Sequence, residues 1–145
     1  MKNKIGAWLA VFFLFLSPGV FAQAESDPAL LVGITLTELY NNYGVPRNVY
    51  AVRGIDTWQD DVVFVYDRIE FFVFGNRVWQ VKVSSAYTVK DGDTQAVVTR
   101  AMGEGRNFEG YTLYQLPGRS WPLMMRVNWN SRGRAEGIYI YRPDF

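Results

Sequence analysis

The chain contains neither cysteine nor histidine, and these two absences exclude more chemistry than any motif supplies. Without cysteine there is no disulfide, no thiol nucleophile, no zinc-finger ligand set and no lipobox residue to carry a lipid. Without histidine there is no Ser-His-Asp arrangement, no imidazole metal ligand and no ordinary side chain that titrates near neutral pH. Excess charge is lacking too: the balance is +1, so strong electrostatic attraction to nucleic acid is not implied. No cofactor and no metal are expected. A length of 145 residues is one domain's worth, and with 17% aromatic residues the core must hold itself together without covalent staples.

What is present begins at the N-terminus. Lys2 and Lys4 precede the twelve-residue apolar run "IGAWLAVFFLFL", Pro18 and Gly19 break it, and small residues follow in "VFAQAE". This is the anatomy of a secretory signal peptide, and the run is well short of the roughly 20 residues that span a bilayer. Cleavage is expected after Ala22 or Ala24, which gives residues 1–24 as the signal. Its loss takes two lysines from a chain at +1 and leaves −1. An exported chain without cysteine points to a bacterial periplasm or to secretion beyond it.

The mature chain reads as one unit built twice, over residues 25–85 and 86–145 as a single compact domain. "GITLTELYNNYGVP" (33–46) and "GDTQAVVTRAMGEG" (92–105) both run Gly, any residue, Thr, then eight residues to a second Gly. Thr35 and Glu38 have capping-box spacing, Leu36, Leu39, Tyr40 and Tyr43 form one apolar helix face, and Gly44 with Pro46 ends the helix. In the second copy Asp93 or Thr94 caps, Val97, Val98, Ala101 and Met102 give the apolar side, and Gly103 closes. "VYAVRGIDTW" (49–58) parallels "LYQLPGRSW" (113–121), pairing Tyr50 with Tyr114, Gly54 with Gly118 and Trp58 with Trp121. The run "IEFFVF" (69–74) has no clear counterpart. Gly75-Asn76 and Arg132-Gly133 mark hairpin turns. Alternation places Trp79, Val81 and Val83 on one face and Gln80 and Lys82 on the other. The expected class is therefore α+β: two tandem helix-plus-three-or-four-strand repeats forming an antiparallel sheet, helices on one face and the other face open. "SSAYTVKDGD" (84–93) reads as a polar connector and "GEGRNFEG" (103–110) as a linker.

"GITLTELYNNYGVP" resembles the opening signature of the SmpA/OmlA (BamE-like) family, through Gly33, Thr35, Gly44 and Pro46. The second copy carries Gly92, Thr94 and Gly103, with Gly105 in place of the proline. Two such units in tandem also resemble the duplicated architecture of the β-lactamase inhibitory proteins. The resemblance implies a non-catalytic protein-binding module of the cell envelope, such as an accessory factor in outer-membrane assembly, or a secreted inhibitor of an enzyme. BamE-type proteins are anchored through an N-terminal cysteine, which this chain lacks.

Candidate chemistry is sparse. Asp60 and Asp61 are adjacent, so on a strand they point to opposite faces and form no acid/base couple. Asp91 and Asp93 flank Gly92 without the ligand series of a calcium loop, and helix capping is the simpler role. The six serines have no activating histidine, and no Ser-x-x-Lys appears. An apolar-ligand or lipid carrier, with Phe71, Phe72 and Phe74 lining a pocket, is a further class. What remains is surface: tryptophan, tyrosine and arginine dominate binding hot spots. Arg53 and Trp58 stand in one loop, and Arg119 and Trp121 in the loop of "PGRSWP". These four residues, with the open sheet face, are the expected protein-binding site. The partner is another protein, an envelope component; nucleic acid is not expected, and peripheral membrane contact and oligomeric state are left open. Alanine at Trp58 and Trp121 is expected to abolish partner binding while the melting temperature hardly moves; a large fall in thermal unfolding would assign both to the core instead.

Overall fold

The computed structural model describes residues 27–53, 60–118 and 120–144. The expected signal peptide, Trp58 and Arg119 lie outside the described residues.

Each helix is fastened to the sheet before it begins. Gly33 and Gly92 take positive φ values of 101° and 89°, a region that admits glycine at little cost. The Gly33 amide donates to the Val78 carbonyl at 2.7 Å, and the Val78 amide donates to Ile34 at 2.9 Å. In the second half the Gly92 amide donates to Ala135 at 2.8 Å, and the Ala135 amide to Asp93 at 2.8 Å. The guanidinium of Arg77 donates to the Gly33 carbonyl at 2.7 Å, and that of Arg134 to Gly92 at 2.9 Å. The two Gly-x-Thr segments therefore do the same mechanical work.

A 3₁₀ turn, Pro28–Leu31, leads into helix α1, Leu36–Tyr43. Thr35 accepts from the Glu38 amide at 3.2 Å while Glu38 accepts from the Thr35 amide at 2.7 Å, closing the capping box. Helix α1 is followed by strands β1 (Asn48–Val52), β2 (Asp61–Val65), β3 (Ile69–Phe74) and β4 (Arg77–Val83). A short ladder of β5 (Ser85–Ala86) and β6 (Val89–Lys90) leads to helix α2, Gln95–Met102. Then come β7 (Arg106–Phe108), β8 (Tyr111–Leu116), β9 (Leu123–Trp129) and β10 (Ala135–Tyr141).

Eight strands form one antiparallel sheet in the order β1-β2-β3-β4-β10-β9-β8-β7. At its centre Val83 faces Ile138 and Val81 faces Ile140 across β4 and β10. One face carries the core: Phe64, Phe71, Val78, Val81, Met125, Val127, Ile138 and Ile140, joined by Leu39 of α1 and Val98 of α2. Tyr43 packs on Phe71, with ring centroids 4.9 Å apart. Each fully buried aliphatic or aromatic side chain here contributes about 1.5–3 kcal/mol. The two rims differ: β1 is an edge of five residues, all exposed, whereas β7 is an edge of only three.

This architecture overturns the expected α+β class of two helix-plus-three-or-four-strand repeats. The described residues form mostly one large antiparallel sheet with two short helices. The reason is local. Gly44 and Gly103 end α1 and α2 after eight residues each, and each helix buries a single side chain. Segments expected as connectors are strands instead, since β5 and β6 lie in the polar connector and β7 in the glycine-rich linker. The pairing of Tyr50 with Tyr114 also shifts by one strand. Tyr50 is exposed on the edge strand β1, whereas Tyr114 is buried on β8, one strand in from the opposite edge. Counted outward from the centre, β9 is the counterpart of β3 and therefore of "IEFFVF". A bulge between Phe72 and Val73 in the β3–β4 register alters the alternation, so Val78 rather than Trp79 joins Val81 and Val83 in the core.

Capping separates the two helices. Thr94 occupies the N-cap of α2 but makes no side-chain capping bond, and the Asp93 carboxylate accepts instead from the Lys90 amide at 2.8 Å. Thr35→Ala is expected to cost about 1 kcal/mol in urea denaturation, and Thr94→Ala clearly less. Equal losses would contradict this account of α1.

Candidate functional site

The sheet face turned away from the helices carries a row of polar and aromatic side chains in strict register. Glu70 faces Lys82 across β3 and β4, Lys82 faces Tyr139 across β4 and β10, and Tyr139 faces Arg126 across β10 and β9. One step along the strands, Phe72 faces Gln80, Gln80 faces Tyr141, and Tyr141 faces Met124. Alternation at period two puts both rows on the same side.

At one end of the first row Glu70 is the acceptor for two donors. The Lys82 ammonium lies 2.9 Å from one carboxylate oxygen and the Tyr50 hydroxyl 2.7 Å from the other. Burial pushes the Glu70 carboxyl up, but the hydrogen bonds from Lys82 and Tyr50 outweigh it and hold it below its usual range. Burial first, then the bond to Glu70, pushes the Tyr50 hydroxyl up to about 12. The bond to Glu70 is also the main cause that raises Lys82.

At the other end sits Arg126. Its guanidinium lies 4.5 Å from the centre of the Tyr139 ring and 6.0 Å from that of Tyr141. Gly137 makes this possible: a Cβ there would come within 3.0 Å of the Tyr139 ring. Phe72 also meets Tyr139, and Trp79 meets Tyr141, each at 6.4 Å between centroids. The Arg126 Nε is buried and has no hydrogen-bond partner among the described residues. An unpaired buried donor of this kind costs about 1–3 kcal/mol. A shallow depression of about 520 Å³ adjoins it, lined by Lys82, Glu109, Tyr111, Arg126, Asn128 and Glu136 among others.

The four residues singled out by sequence fare unequally. Arg53 follows β1, is exposed, and pairs with Asp60 at 3.6 Å. Trp121 is 41% exposed; its ring lies 3.5 Å from where a Gly33 Cβ would stand, and 5.4 Å from the Arg142 guanidinium. It is thus partly seated on the structure rather than free. Trp58 and Arg119 belong to the undescribed parts of the two loops. Both loops leave the same end of the sheet, from the β1–β2 and β8–β9 connections. Strands β3, β4 and β10 stand between the two hairpins, so at about 4.8 Å per strand the described strand ends from which the loops leave are about 24 Å apart.

Other candidates resolve into structural roles. Asp60 holds Arg53, whereas Asp61 accepts from the Trp79 indole at 3.0 Å, so the two acids do separate work. Phe71 is fully buried in the core, Phe72 belongs to the opposite face, and Phe74 is 37% exposed, so the three line no common pocket. Tyr114 is buried, and the Trp129 indole donates to Thr112 at 2.9 Å. Arg126 was not singled out by the sequence. The available signal is its place between apolar residues in "LMMRVNW", opposite the alternating "IYIY".

No family model matches the chain, and no curated protein matches it. Among solved structures it is similar to an extracellular protein containing a SCP domain from Bacillus anthracis str. Ames, with a TM-score of 0.53 and 10% identity. The match covers 99% of this chain and 50% of that one, so this chain spans about half the length of that protein. At this identity the likeness concerns the fold alone. No helix among the described residues is long and apolar enough to cross a membrane.

The Glu70 cluster gives a pH signature. The lowered carboxyl contributes stability above its unfolded value of about 4.3, lost as pH falls through the folded value. The raised Tyr50 contributes below about 10, and that contribution is lost as pH climbs through about 12. In Glu70→Gln the Tyr50 hydroxyl is expected to fall only part way towards 10, since burial is the larger cause. Titration by NMR of ring-labelled tyrosine reads this directly, and an unmoved Tyr50 would refute the coupling.

Proposed function

We propose that this is a non-catalytic, exported binding protein of the bacterial envelope or its surroundings, which recognises another protein with the sheet face opposite the helices. The observation that carries this reading is the row from Glu70 to Arg126. It sets tyrosine, arginine and lysine side chains in register on the sheet, beside an arginine donor that the described residues leave unmatched. Aromatic residues and arginine on a preorganised surface are what protein-binding hot spots use. Export is supported by the N-terminal Lys-rich, apolar and small-residue segments. The resemblance of residues 33–46 to the SmpA/OmlA signature favours an envelope partner, with an accessory role in outer-membrane assembly as the specific form. The loops holding Arg53, Trp58, Arg119 and Trp121 would then extend the contact from the end of the sheet.

The test is crosslinking in cells from a photoreactive residue at Gln115, which is exposed on β8 opposite Met124. A matched probe at Asn41, exposed on α1, samples the helix side. Protein adducts are expected from position 115 and not from position 41. Outer-membrane assembly components among them would establish the envelope role, and a soluble enzyme would establish an inhibitor. Adducts equally from both positions, or from neither, would sink the sheet-face reading.

A further inference from the structure

We infer that Arg126 is a receptor for one carboxylate, supplied by an aspartate or glutamate side chain of the docked protein. This rests on the sheet-face reading above and names the chemistry of its centre.

The argument starts from how the guanidinium is held. Tyr139 lies against its flat face at 4.5 Å and Tyr141 flanks it at 6.0 Å. Tyr139 is itself braced by Phe72, and the close approach of its ring to Gly137 fixes where it can lie. A guanidinium supported through its π-face keeps its in-plane N–H groups for other partners, and two parallel N–H groups match the two oxygens of a carboxylate. Arg126 makes no ion pair and no hydrogen bond among the described residues. By contrast, the Lys82 ammonium in the same row is already engaged by Glu70 at 2.9 Å.

The charges around the depression select the ligand. Lys82 and Arg126 share the lining with Glu109 and Glu136, so no broad positive field draws in polyanions. A phosphate group, with its larger charge, would meet those two acids without a second free cation. A single planar carboxylate carries less charge past those acids and matches the guanidinium of Arg126, whose buried Nε has no partner among the described residues. Recognition here is therefore short-ranged and geometric.

The probe is the tripeptide acetyl-Gly-Glu-Gly-amide, with its Gln analogue and inorganic phosphate as comparisons. It is titrated into the mature protein while the Arg126 Nε–H and the backbone amides of Asn128 and Tyr139 are followed by NMR. The Glu peptide is expected to give saturable shifts at all three, at least about tenfold tighter than the Gln peptide, because only the former offers a charge-assisted bidentate bond. Arg126→Lys, which keeps the charge and removes the fork, should lose the saturable shifts at residues 128 and 139 while the rest of the spectrum is unchanged. Equal response to the Glu and Gln peptides, a stronger response to phosphate, or full binding by the lysine variant would each overturn the assignment. Failure of the crosslinks from position 115 alongside saturable Glu-peptide binding would remove the protein partner and leave the carboxylate site. The reverse result would remove Arg126 as its anchor.

Discussion

The pairing of β4 with β10 is the constraint on which the rest of the molecule depends. Among the described residues it is the one place where a strand of the first half lies beside a strand of the second in the eight-stranded order. Val81 and Val83 meet Ile140 and Ile138 there, all buried, so the seam is also the middle of the core. The opposite side of the same two strands holds Gln80 and Lys82 against Tyr141 and Tyr139. One ladder thus fixes the apolar packing on one face and the binding row on the other. A slip of one residue would exchange the two sets of side chains.

The fastenings of the helices protect that register. Gly33 and Arg77 tie the entry of α1 to the start of β4, and Gly92 and Arg134 tie the entry of α2 to the start of β10. Each helix buries only one side chain, so it adds little hydrophobic area by itself. It also covers part of the apolar face, α1 laying Tyr40 on Phe64 of β2 and Tyr43 on Phe71 of β3. Trp121 adds a contact between halves, because a loop of the second half rests on Gly33 of the first.

Much of this was legible in the sequence at short range. Thr35 and Glu38 announce their capping box by spacing, and Gly75-Asn76 announces its hairpin by composition. Helix existence was read correctly, but fold class was not. The number of strands depends on segments such as "RNF" and "SA", which pair only because neighbouring strands supply partners. The position of Trp79 was misjudged because a bulge is invisible to simple alternation. The candidate site was hardest to read. Arg126 gains its meaning from Tyr139 and Tyr141, which are far along the chain and adjacent only through strand register. Arg53 and Trp121 were visible as residue types, yet their partners, Asp60 and Arg142, decide how free they are.

The unequal rims of the sheet carry a consequence for assembly. The β1 edge offers five exposed residues of backbone, whereas β7 offers three. A filament needs two long complementary edges, so that each added subunit presents the next one. Here the short rim cannot sustain such a ladder. Edge-to-edge joining through β1 would meet a second β1 about a two-fold axis, and such a pair would leave only the two short β7 rims as outer edges.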